Sequence, residues 1–142
     1  MKFQRMLIAG LLAVSGCVTG GPERTLDAGG AAANRSGGAV ASTIIAAMEG
    51  GLIGGPIGQG LAEGDRRLAL ESEYRALEYT QAAEGVKWQG KDGSGEVKAG
   101  QPYRVGSQNC RQYEHSIAVD GRRRSARGTA CRNPDGSWTP LS

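Results

Sequence analysis

Three cysteines, one histidine and a run of arginines are the residues of this 142-residue chain best suited to chemistry. Cys17 stands alone near the N-terminus, whereas Cys110 and Cys131 bracket the stretch CRQYEHSIAVDGRRRSARGTAC. A thiol can be a nucleophile, a metal ligand, an acylation site or half of a disulfide. Zinc needs four ligands, and the pair has only His115 nearby; on a strand, His115 and Cys110 point to opposite faces. No metal site is therefore expected. A bridge requires only that the two cysteines meet. Asp120-Gly121 is a strong two-residue hairpin signal. It sets Val119 opposite Arg122 and, in the same register, Cys110 opposite Cys131. That pair falls at a non-hydrogen-bonded site, where α-carbons approach most closely. Glu114 then meets Arg127, Tyr113 meets Gly128, and Tyr113, Ile117 and Val119 share a core-facing side. A bridge closing such a loop contributes about 3 kcal/mol.

Cys17 has different surroundings. Lys2 and Arg5 precede the apolar run Met6 to Val14, which has signal-peptide length and is too short to span a bilayer as a helix. Small residues Ser15 and Gly16 follow, so LLAVSGC resembles a bacterial lipobox. That resemblance implies a signal over residues 1–16, an S-diacylglyceryl thioether and an N-acyl group on Cys17, and partnership with outer-membrane lipid. With Val18 rather than aspartate after the cysteine, sorting to the outer membrane is implied. Several acyl chains anchor a protein where a single one binds only weakly.

The remaining polar residues form no catalytic constellation, and no catalytic residue or cofactor is expected. His115 is a lone strand histidine, expected to be packed or solvated. Glu71, Glu73 and Glu78 read as helix-surface carboxylates with no catalytic partner in view. The glycines do not follow a strand with a phosphate-loop signature. Arg122, Arg123, Arg124 and Arg127 form a candidate anion-binding set for lipid phosphates or an acidic protein, against the plainer reading of a solvated turn that blocks edge pairing. The formal charge of +3 is divided between an acidic first half and a basic second half. So mild a balance does not point to nucleic acid.

The elements that must carry these residues follow from composition and period. Residues 17–34 lack a hydrophobic period and read as a lipidated tether reaching about 20–25 Å. In residues 35–64 small residues recur every fourth place, at Gly38, Ser42, Ala46, Gly50, Gly54 and Gly58. Such a row on a helix makes a groove for close helix packing. Glu49-Gly50-Gly51 divides the segment into two apolar pieces of about 18–20 Å as helix, short of the ~30 Å hydrocarbon core. The expectation is a glycine-zipper helical hairpin, dipping into a leaflet or self-associating into a homo-oligomer, with Pro56 kinking or starting its second arm. Residues 65–84 read as an amphipathic helix capped by Asp65, with Leu70, Tyr74 and Leu77 on one stripe and Arg67–Glu71–Arg75 pairs. From 85 to 142 the period is two: about six antiparallel strands with Trp88 and Trp138 completing the core. The fold class is therefore α+β, a small disulfide-pinned antiparallel domain behind helical segments.

In this order the pieces resemble the rickettsial 17 kDa surface antigen family of outer-membrane lipoproteins. The resemblance rests on the lipobox, the glycine-rich region, DRRLALESEYRALE, and CRQYEHSIAVDGRRRSARGTACRNPDGSW. It implies an outer-membrane location, a C-terminal surface-antigen domain in the periplasm or at the surface, and no catalysis. Two functions are expected to compete: a structural envelope lipoprotein, and a binding module gripping a soluble partner, such as an inhibitor of a lytic enzyme or protease.

Overall fold

A computed structural model describes residues 40–141. The signal, Cys17, the tether and Gly38 lie outside the described residues. The elements are a short helix α1 (Ser42–Ala47), two 3-10 turns (Leu52–Gly54 and Pro56–Gly58), a long helix α2 (Glu63–Tyr79) and six strands. The strands are β1 (Gly85–Gln89), β2 (Gly93–Ala99), β3 (Tyr103–Val105), β4 (Gln108–Val119), β5 (Arg122–Arg132) and β6 (Trp138–Pro140). They form one antiparallel sheet in the order β1-β2-β4-β5-β6, and β3 pairs with the start of β4 beyond the end of β2.

The central hairpin has the register expected from Asp120-Gly121. Val119 faces Arg122, Glu114 faces Arg127, Tyr113 faces Gly128 and Cys110 faces Cys131. The turn is tight because Asp120 and Gly121 both take positive φ, 50° and 72°. Cys110 and Cys131 are bridged, with α-carbons 4.0 Å apart. Arg111, Tyr113, His115, Ile117 and Val119 are buried on one face of β4. Trp88 and Trp138 are buried as well, each in a different one of two apolar clusters.

One face of this sheet is covered by α2 and by the segment 40–62, which we call the strap. α2 packs on β1, β2 and β4, while the strap reaches β5 and β6. Small residues let α2 lie close: Ala69, Ser72 and Ala76 are buried along with Tyr74 and Leu77. Arg67 and Arg75 both engage Glu71, as the four-residue spacing requires. At the C-terminus, Arg111 reaches from β4 to the carbonyls of Ala76, Leu77 and Thr80, placing positive charge where the helix leaves its acceptors unpaired.

Two expectations change here. Asp65 does not cap α2, whose N-cap is Ala62. Its carboxylate instead accepts the N–H groups of Lys91, Asp92 and Gly93, pinning the β1–β2 turn to the helix. The N–H donors of Asp92 and Lys91 hold its carboxyl below the usual aspartate range. Its contribution to stability is therefore present above the ordinary pKa of about 4 and is lost as pH falls through the lower folded value.

The second change is larger. Residues 40–62 are not a helical hairpin. α1 lasts six residues, and the chain then takes positive φ at Glu49, Gly50 and Gly51 (49°, 86° and 56°), the expected turn. Pro56 starts the second 3-10 turn rather than a long helix. Glycine in a helix interior costs about 1 kcal/mol relative to alanine, and five fall between Gly51 and Gly60. The fold supplies other hydrogen-bond partners for this backbone, described below. Apolar side chains of the strap turn into the core: Val40, Ile45, Met48, Ile53, Ile57 and Leu61 are all buried. Among the described residues no helix is long and apolar enough to cross a membrane.

The expected row of small residues is consequently split. Ser42, Ala46 and Gly54 are exposed, and Gly58 is buried. A β-carbon on Gly58 would lie 1.7 Å from the Ile53 carbonyl oxygen, whereas one on Gly54 would meet nothing within 4 Å. Gly58→Ala should therefore lower the urea midpoint of the domain, while Gly54→Leu should leave it within experimental error. Equal destabilisation by the two would contradict the strap's placement.

Candidate functional site

The most enclosed polar group in the domain joins three elements. Glu73 on α2 and His115 on β4 are 0 % exposed and meet at 2.7 Å between Oε1 and Nδ1. Trp88 on β1 donates its Nε1–H to His115 Nε2 at 2.9 Å. Nε2 must then present its lone pair, so the imidazole is the neutral form with its proton on Nδ1, donating to Glu73. The carboxylate also accepts the N–H of Leu52 (2.9 Å, Oε2) and of Ile53 (2.9 Å, Oε1) from the first 3-10 turn. Burial, reinforced by the Glu73 charge, pushes the neighbouring Tyr113 phenol up.

Carboxylate–imidazole pairs orient general bases in many enzymes. Here the imidazole's free nitrogen is occupied by an indole, and the pair is sealed from solvent. What the arrangement does is mechanical: it ties helix, sheet and strap through one acceptor. His115 is thus packed, one of the two expected outcomes. Its network was not anticipated.

Glu71 keeps the pairs its spacing predicts, whereas Glu73 and Glu78 have partners that were not expected. Glu71 holds Arg67 and Arg75. Glu73 is the hub. Glu78 accepts both Nε and Nη2 of Arg132 at 2.8 Å and the Nε1–H of Trp138 at 2.8 Å. The reason is that α2 buries more of its circumference than an apolar stripe reveals, because the strap covers the side that the sheet does not. The signal for Glu73 was its position: it stands four residues after Ala69 and three before Ala76 on the small-residue face that meets the sheet.

The four arginines expected to form an anion-binding set are separated. Arg124 turns to the strap side, where its Nη1 donates to the carbonyls of Pro56, Ile57 and Gln59, the shortest at 2.9 Å. Arg127 lies on the opposite face, paired with Glu114 at 2.7 Å. Alternation along β5 sends consecutive residues to opposite faces. Arg122 and Arg123 remain exposed beside the turn. Arg66 adds a bond to the Gly58 carbonyl, and Arg67 one to Val40. Cationic side chains thus replace the hydrogen bonds that a helical strap would have made with itself.

The sheet face away from α2 carries two open troughs of about 650 and 540 Å³. The larger runs between Ala82–Ala83 and the row Lys98, Glu114 and Arg127, with Gln112 and Thr129 at its side. The smaller lies between Lys87, Glu96 and Arg123.

Residues 75–139, from the second half of α2 to the last strand, match the family model described as 17 kDa outer membrane surface antigen. They belong to the 17 kDa surface antigen family. Similar proteins include the 17 kDa surface antigen of Rickettsia bellii (strain RML369-C), 40 % identical over 85 residues, which are 58 % of this chain and 54 % of that protein. The 17 kDa surface antigen of Rickettsia felis is 40 % identical over 82 residues, 56 % of this chain and 52 % of its own. That of Rickettsia conorii is 39 % identical over 82 residues, with the same coverage. The chain spans about half the length of the curated relatives it matches. No solved structure matches it. The surface-antigen match takes in the disulfide, His115, Arg111 and the Glu78–Arg132 tie. It begins two residues after Glu73, so the buried hub joins the matched domain to the segment that precedes it.

Proposed function

We propose that this chain is a non-enzymatic lipoprotein of the outer membrane, held by acylated Cys17, with a structural role in the envelope through display of the disulfide-pinned domain. The observation that carries this reading is the match of residues 75–139 to the outer membrane surface antigen model, behind a sequence that resembles a lipobox. The bridged Cys110 and Cys131 agree with an oxidising compartment. The sealed Glu73–His115 pair is already committed to holding three elements together. Growth of expressing cells with a clickable palmitate analogue tests the anchor: the wild-type protein should take up label and float with outer membranes, and Cys17→Ala should do neither. Unlabelled wild-type protein would refute it.

Self-association belongs to the same proposal. Gly54 is exposed and has open space at its β-carbon, so Gly54→Leu can block approach of a second copy without disturbing the fold. Loss of an oligomer in that variant supports packing through small residues; an unchanged oligomer opposes it. A second reading, a module for a soluble partner, draws on the two open troughs. Its pull-down needs residues 40–141 as bait, because a fragment starting at 85 lacks α2 and the strap that complete the core.

A further inference from the structure

The face of the sheet opposite α2 and the strap is polar at one end and apolar at the other. Register places Lys87 beside Glu96, Lys98 beside Glu114 and then Arg127, and Arg123 beside Ala118 on this face. The strand residues here thus present Lys87, Lys98, Arg123 and Arg127 against only Glu96 and Glu114, a net positive surface.

The apolar end is built on the β3–β4 hairpin. Every residue from 101 to 109 is exposed, and Gly106 closes the turn with φ of 60°. Tyr103 faces Cys110, Cys110 faces Cys131, and Cys131 faces Thr139, so the hairpin is footed on the disulfide. Tyr103 and Val105, two apart, share this face. Leu141, whose N–H bonds the Thr129 carbonyl, continues the row of Thr139. Tyr103, Val105 and Leu141 are 42, 51 and 54 % exposed; the other large exposed apolar residue among those described is Leu68, on α2. Single exposed apolar residues are ordinary, but Tyr103 and Val105 adjoin on one short hairpin, and Leu141 stands on the same face across β4 and β5.

We propose that this face docks on an anionic lipid surface, with Tyr103 and Val105 entering the headgroup region and Lys87, Lys98, Arg123 and Arg127 lying over phosphates. The proposal deepens the reading of an anchored envelope protein. Tyrosine suits the membrane interface, where its ring meets acyl chains and its hydroxyl stays wet. Lysines and arginines near an anionic leaflet attract it within a Debye length. The charge sign selects this occupant: Glu96 and Glu114 balance Lys98 and Arg127, and the charges of Lys87 and Arg123 remain in excess. A bridged foot holds the hairpin in place, so little ordering cost attends docking.

The test places a reporter at the tip. The full chain carrying Val105→Trp, with Cys17 intact, is reconstituted in vesicles of phosphatidylglycerol and phosphatidylethanolamine whose acyl chains are brominated. Trp88 and Trp138 are buried and contribute a constant background. Emission from position 105 should fall about two-fold or more. Adding Lys98→Gln and Arg123→Gln should weaken the docked population by about five-fold per charge removed, and high salt should do the same. Undiminished emission in a chain that co-floats with the vesicles overturns the proposal. So does equal quenching in pure phosphatidylcholine. A response to soluble polyglutamate but not to vesicles assigns the face to an acidic protein and also overturns it. Failure of the anchor would appear separately, as absent palmitate label on wild-type Cys17.

Discussion

Glu73→Leu should destabilise the domain by about 3–5 kcal/mol, read as a fall in the urea midpoint with the slope unchanged. Each buried donor left without its acceptor costs about 1–3 kcal/mol, three are orphaned, and the added leucine burial offsets part of the sum. The carboxylate accepts from Leu52, Ile53 and His115 at once. A leucine leaves all three donors facing hydrocarbon. Glu73→Gln keeps the volume but converts one oxygen to a donor. If that group faces Leu52, one N–H is orphaned; if it faces Ile53 and His115, the histidine must shift its proton to Nε2, opposite the Trp88 N–H. Each arrangement leaves at least one donor facing another, and the cost should be about 1–3 kcal/mol. A Glu73→Leu protein within 1 kcal/mol of wild type would show that the hub does not join strap to sheet.

Met48→Ala and Ile53→Ala should each cost about 2–5 kcal/mol by the same measurement. Both side chains are 0 % exposed, and they sit in different apolar clusters. A strap that lay in lipid or bound only to other copies would leave the purified domain indifferent to these changes, so the result separates the two placements directly. The effects of Met48→Ala and Glu73→Leu should combine more nearly additively than those of Ile53→Ala and Glu73→Leu. Ile53 donates its own N–H to Glu73, and contacting residues do not add.

The strands were legible because their information is local. A two-residue turn and a period of two dictate which residues face each other, so the pairing of Cys110 with Cys131 and of Glu114 with Arg127 could be read before any fold was known. The amphipathic helix and its Arg67–Glu71–Arg75 ladder were legible for the same reason. The strap was not. Its glycine spacing fits a helix as a pattern, but whether it forms one depends on partners far along the chain. Glu73 takes its N–H groups, and Arg66 and Arg124 take its carbonyls, across 8 to 68 positions of sequence. No local window of the sequence contains both halves of the Glu73 and Arg124 bonds; only Arg66 lies near its acceptor.

Alternation, turn chemistry and short motifs thus made the sheet, its register, its disulfide and the likeness of residues 75–139 to the surface antigens readable from the chain alone. Packing assigns the glycine-rich segment to closing the core, makes Arg124 a clamp, and seals Glu73 with His115. Burial and long-range hydrogen bonding assign those roles, and both are properties of the packed chain rather than of any stretch within it.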